Sequence, residues 1–129
     1  MADRIIYIDH SDVREGRLAE LKAGISRLVE FVDEQEPQLI SYGFYFDEPG
    51  AHMTVVAVHP DAASLEIHLS VGGPEFRKLA DLIDLKRIDV YGYPTENVMQ
   101  QLRNKAEMLG QHAELHVHEL HAGFTRDTK

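Results

Sequence analysis

Two residues have the types and settings to move a proton. His68 lies in the apolar stretch Leu65-Glu66-Ile67-His68-Leu69, and Asp9 ends the apolar run Ile5-Ile6-Tyr7-Ile8. An imidazole titrates near neutrality, and a carboxyl group gains basicity when it is buried. His68 reads either as a pocket base or hydrogen-bond donor, or as a core histidine satisfied by backbone groups. Asp9 reads either as a general base or as a strand-end residue that helps cap the following helix. Tyr7, Tyr42 and Phe44 supply flat surfaces and hydroxyls that suit a slot for an aromatic ligand, and equally suit an ordinary core. By strand parity, His59 falls at the mouth of the face that carries Tyr42 and Phe44.

A second group of histidines lies near the end of the chain. His112, Glu114, His116 and His118 alternate along one face of an extended stretch, with His121 just beyond. Imidazoles at i and i+2 can grip zinc or nickel. The favoured reading is a solvated polar face, because Ala113, Leu115 and Val117 form a packing face opposite it. Metal binding is kept as the weaker alternative, and no metal site is assigned. Gly72-Gly73 lacks the spacing of a phosphate loop. The chain has no cysteine, so thiolate catalysis and disulfides are excluded, and no other covalent nucleophile is indicated.

The elements that would position these residues follow from apolar periodicity. Residues 4–9 read as a strand that is apolar on both faces. Ser11 and Asp12 resemble helix-cap residues, with Glu15 three positions after Asp12 as in a capping box. Leu18, Leu21, Ile25, Leu28, Val29 and Val32 mark a helix to about residue 34. Residues 39–46 and 53–58 form a hairpin around Asp47-Glu48-Pro49-Gly50. A four-residue loop would pair Phe46 with Ala51. Tyr42, Phe44, Met53, Val55, Ala57 and His59 then share a face. A short helix from Pro60-Asp61 is expected to break at Gly72-Gly73, with a second piece starting at Pro74. A strand follows over 86–92, then a helix capped by Thr95 and closed by Gly110, then a last strand over 113–119. Residues 122–129 look like a polar tail.

The segment Val13-Arg14-Glu15-Gly16-Arg17-Leu18-Ala19-Glu20-Leu21, followed after the third strand by Asp61-Ala62-Ala63-Ser64-Leu65-Glu66-Ile67-His68-Leu69, resembles the antibiotic-biosynthesis-monooxygenase-like family of dimeric α/β barrels. The resemblance covers roughly residues 4–92. It implies a ferredoxin-like α+β fold, sheet-to-sheet dimers, and a pocket between each sheet and its helices. Members include cofactor-free oxygenases of quinol-like aromatics and heme-degrading enzymes. His68 matches a helical histidine common in the family. The glutamate and aromatic that often end the third strand are replaced by Ala57 and His59, and Glu75 stands where a second histidine often precedes Phe76. The positions matching the residues of heme-degrading members hold Asp9, His59 and Ala80, and the chain has no tryptophan. This argues against heme degradation and leaves the oxygenase reading without its usual residues.

A chain of 129 residues is the length of one domain. The expected organisation is a single ferredoxin-like domain, 1–129, with a core over about 4–92 and a helix–strand extension over about 95–120. The net charge of −9 disfavours nucleic acid and anionic membranes. The start Met-Ala-Asp-Arg-Ile-Ile-Tyr lacks the form of a signal peptide, and the cysteine-free composition fits the cytoplasm. An apolar second sheet face implies a homodimer, because monomers rarely leave such a patch bare. The last strand is expected to extend the partner's sheet. The expected activity is cofactor-free oxygenation of a small quinol or phenol, with His68 and Asp9 catalytic, Tyr7, Tyr42, Phe44 and His59 lining the slot, and no cofactor. The alternative is a non-catalytic homodimer that binds a small ligand or only assembles.

Overall fold

Along the first strand, Ile5, Tyr7, Asp9 and Ser11 are buried while Ile6 and His10 are exposed, and this alternation divides a sheet into two unlike faces. The structure, a computed structural model, describes residues 4–126. Its elements are β1 (Ile5–Val13), α1 (Leu18–Gln35), β2 (Ser41–Phe46), β3 (His52–His59), α2 (Ala62–Arg77), β4 (Ile83–Tyr91), α3 (Glu96–Leu109) and β5 (Glu114–His118). The strands lie in the order β2-β3-β1-β4-β5. The first four are antiparallel, and β5 runs parallel to β4. This is the ferredoxin-like α+β arrangement with a helix–strand extension. The expectation that the last strand would join a partner's sheet is corrected: Leu115 and Val117 pair with Ile88 and Val90 of the same chain. The α3 crossover supplies the chain length that a parallel return needs.

The core lies on one face of the sheet. Ile5, Tyr7, Val55, Ala57, Ile88 and Val90 meet Leu21, Leu28, Leu65, Leu69 and Leu102 from the helices. The opposite face carries Ile6, Ile8, Val56, Val58, Tyr45 and Tyr91, all exposed or half-buried.

Several local expectations change. The first strand runs on to Val13, so Ser11 and Asp12 pair with Met53 and His52 instead of capping a helix. Two-sided pairing of β1 with β3 and β4 outweighs a local cap. The first helix begins at Leu18, after Gly16 turns the chain at φ +77°, and no side chain caps it. In the hairpin, Phe46 faces Met53, two residues from the expected register, while the face assignments survive. Asp47 sets the closing pair: its carboxylate accepts from the N–H groups of Ala51 and His52 at 2.9 and 3.1 Å.

The expected break at Gly72-Gly73 is absent, and α2 runs through Pro74. Phe76 packs directly over Gly72, where a Cβ would lie 2.6 Å from its ring. A glycine is needed there for close approach, not for a turn. Asp61 caps this helix by accepting from Ser64 N–H at 2.9 Å. Thr95 caps α3 as expected, accepting from Val98 N–H at 3.1 Å. Gly110 ends α3 in extended backbone, and a Cβ there would meet the Leu85 carbonyl oxygen at 2.2 Å.

Candidate functional site

The central strand places Asp9 between Val55 of β3 and Ile88 of β4, so its carboxylate enters an apolar layer. It is 3 % exposed. Such a group needs partners. The Tyr7 hydroxyl, two residues back on the same face, donates a short hydrogen bond to Asp9 Oδ2. Lys105 reaches down from α3 and sets its Nζ 3.5 Å from the same oxygen. Its ammonium also lies 4.6 Å from the Tyr7 ring centre and 4.3 Å from that of Phe76. Aromatic faces of this kind stabilise a desolvated cation. Burial pulls the Lys105 ammonium below its ordinary value, and Asp9 opposes that fall. Burial, and then the Asp9 charge, push the Tyr7 hydroxyl well above its ordinary value, so it stays a donor. Both contacts fall on Asp9 Oδ2.

That pair forms one wall of a slot between sheet and helices. Asp9, Ser11, Tyr42, Phe44, Phe76 and Lys105 line it, and aliphatic side chains close the remainder. The empty space is about 330 Å³ with its open mouth included, of which only about 20 Å³ is free to the centre of a water molecule. The slot is narrow and mainly apolar.

A second polar network lies behind the slot. His68 is 1 % exposed and puts Nδ1 at 2.8 and 3.0 Å from the two carboxylate oxygens of Glu36, the residue that ends α1. Nδ1–H therefore donates to Glu36, and Nε2 is the basic nitrogen. The His68 ring packs at 5.1 Å against both Tyr42 and Phe76, which face the slot. Burial lowers the pKa of His68, and the hydrogen bond to Glu36 only partly offsets this. His59 meets Ser64 Oγ through Nδ1 at 2.7 Å, while its Nε2 is buried with no partner among the described residues. Burial, reinforced by His68 and Lys105, pushes the His59 pKa down to about 3.

The structure thus brings Asp9, Tyr42 and Phe44 to the slot itself. Tyr7 stands behind Asp9 as its donor, and His68 and His59 stand one layer back. Sequence reasoning missed Lys105, Glu36, Ser11 and Phe76. Lys105 had a signal: Val98, Leu102, Lys105 and Leu109 are the buried residues of α3, so a lysine sits on the apolar stripe. Glu36 had none, since it follows the helix and precedes a proline.

On β5, Glu114, His116 and His118 share the face away from the helices. His118 Nε2 lies 2.8 Å from Asp89 Oδ1, and His116 Nε2 lies 3.0 Å from Glu114 Oε1. Arg87 grips Asp89 through two nitrogens, and these hydrogen bonds hold the carboxyl pKa down to about 2. No group of three or more histidine or acidic residues is placed to hold a metal ion among the described residues. No described helix is long and apolar enough to cross a membrane.

No protein-family model matches the chain, and no curated protein matches it. Solved structures do. MupZ from Pseudomonas fluorescens is similar at a TM-score of 0.74 and 23% identity, covering 95% of this chain and 94% of MupZ. SnoaB from Streptomyces nogalater, described as a cofactor-independent oxygenase, is similar at a TM-score of 0.61 and 18% identity, covering 73% of this chain and 96% of SnoaB. A putative antibiotic biosynthesis monooxygenase from Bacteroides thetaiotaomicron is similar at a TM-score of 0.53 and 18% identity, covering 64% of this chain and 85% of that one. The MupZ likeness is long enough to include the α3–β5 extension. The chain has the ferredoxin-like fold of the antibiotic-biosynthesis-monooxygenase-like proteins.

Proposed function

We propose that this chain is a cofactor-independent, monooxygenase-like enzyme that binds a small quinol or phenol in the slot between sheet and helices, and that it works as a homodimer in the cytoplasm. The observation that carries the reading is the buried Asp9–Lys105 pair on the wall of an otherwise apolar slot. Two desolvated charges are costly in a core, and such pairs cluster at functional sites.

The arrangement suits removal of one proton and storage of one negative charge. A phenolic O–H donates to Asp9 Oδ1, and the proton passes to the carboxylate. The phenolate so formed lies beside the Lys105 ammonium, which stabilises it in a poorly screened setting. The aromatic anion then adds dioxygen at a ring carbon that bears hydrogen, and the peroxide so formed takes the proton back from Asp9. Its O–O bond breaks with loss of water to leave a quinone carbonyl, while Phe44 and Phe76 exclude bulk water and hold the ring. Tyr7 keeps Asp9 in place. His68, held by Glu36, positions the Tyr42 and Phe76 walls. The open sheet face supports the homodimer, since Ile6 is exposed and Ile8, Val56 and Val58 are only half-buried in one chain.

A non-catalytic binding or assembly role is the second reading, and the narrowness of the slot favours it. Oxygen uptake over a panel of quinols and phenols separates the two. The enzyme reading expects uptake that falls sharply in Asp9→Asn. The second reading expects binding or assembly with no uptake.

A further inference from the structure

We propose that Ser11 is the second polar anchor of the slot and sets its specificity: its hydroxyl pairs with a second oxygen of the ligand, so the slot selects aromatics that carry two oxygen substituents over those that carry one. This rests on the reading of the slot as an aromatic-ligand site.

Ser11 lies on the same face of β1 as Asp9, two residues along, which is roughly 6.6 Å on an extended strand. Both line the slot. Ser11 is 2 % exposed, and its Oγ has no hydrogen-bond partner among the described residues. Its neighbours across the ladder are Met53 and Leu85, which offer no polar side-chain group. Buried hydroxyls in folded proteins are almost always paired, so an orphan on a residue that lines a cavity marks a place where a ligand or water belongs. Were packing the only demand, a valine would serve this strand position better.

The ladder supplies a second, independent sign. Pairing between β1 and β4 slips between His10 and Ser11: Arg87 faces His10 and Leu85 faces Ser11, so Lys86 is an extra residue on β4. Bulges of this kind recur beside active sites because they re-aim side chains. The irregularity falls at Ser11 itself. A ring spanning from Asp9 to Ser11 would thus have an oxygen at each end, one anionic beside Lys105 and one neutral at Ser11.

The test is equilibrium binding without oxygen, using 1,4-dihydroxynaphthalene and 1-naphthol as probes against wild type, Ser11→Ala and Ser11→Thr. Wild type should prefer the diol by about tenfold, the size of one good neutral hydrogen bond. Ser11→Ala should erase that preference by weakening the diol alone, and Ser11→Thr should keep it. An unchanged preference in Ser11→Ala, or equal weakening of both probes, would overturn the assignment. So would a raised melting temperature in Ser11→Ala with binding unaltered, since Ser11 would then hold only a water or nothing. Equal affinity of wild type for the two probes overturns the Ser11 assignment while leaving the oxygenase reading in place. A Ser11-dependent preference without oxygen uptake does the reverse. No binding of either probe overturns both.

Discussion

His68 and Glu36 are joined across 32 residues of chain by contacts of 2.8 and 3.0 Å in a place that solvent barely reaches. The pair ties the middle of α2 to the end of α1. It also makes His68 part of the core rather than a free wall of the slot.

Removing the imidazole would strand the Glu36 carboxyl. His68→Ala is therefore expected to destabilise the fold by about 3–5 kcal/mol, the usual cost of breaking a buried pair by removing one partner. Glu36→Leu combined with His68→Phe should recover most of that loss. Urea unfolding of the three proteins checks both statements, and a loss below about 1 kcal/mol in His68→Ala would mean that water relieves the carboxyl.

Stability should fall as pH drops from about 6.5 towards 3. In the unfolded chain His59 regains an ordinary pKa of about 6.5, whereas in the fold burial, with His68 and Lys105 nearby, holds it down to about 3. Across that window the unfolded state binds a proton that the folded state refuses, so acid favours unfolding, by up to a few kcal/mol for this group. His68 is shifted in the same direction by burial. The check is unfolding free energy at pH 7 and pH 4.5 for wild type and His59→Gln. The variant should show a shallower pH dependence, and parallel curves would refute the assignment.

Much of the layer arrangement was legible because β1 reads as a short run apolar on both faces, and α3 shows the Thr95 cap and an apolar stripe. The α2 break was misread because Gly72-Gly73-Pro74 looks like punctuation in one dimension. Only the Phe76 ring lying on Gly72 shows why a glycine is needed within a continuous helix. At the site, Asp9, Tyr42 and Phe44 were visible through strand parity. Lys105 stands out on the apolar stripe of α3, but no local pattern encodes its meeting with Asp9 or that of Glu36 with His68, each made by residues far apart in the chain. The depth of His68 was also hidden, since its place in the stretch Leu65-Glu66-Ile67-His68-Leu69 fitted a pocket residue and a core residue alike.

The bare sheet face predicts self-association. Sedimentation at micromolar concentration should give about twice the 14.6 kDa of one chain. Burial of about 800 Å² per partner would suffice. Val56→Lys puts a charge on that face and should yield a folded monomer. A wild-type monomer would refute the dimer.

Stoichiometric zinc or nickel should move the melting temperature little, because His118 is engaged with Asp89 and His116 with Glu114. A ligand bound only by the folded state raises stability once it exceeds its dissociation constant. A large upward shift that disappears in the double variant His116→Ala, His118→Ala would contradict this and establish a metal site on β5.

The central claim is that Asp9 takes a proton from a phenolic ligand beside Lys105. Its most direct test is the rate of oxygen uptake on a saturating quinol, compared between wild type and Asp9→Asn, with anaerobic binding of the same quinol as the control for an intact slot. The expected result is retained binding with uptake lowered about 10²–10⁴-fold, the typical worth of a general base. An Asp9→Asn protein that binds and consumes oxygen at the wild-type rate would contradict the account, and so would a wild type that binds the quinol and consumes none.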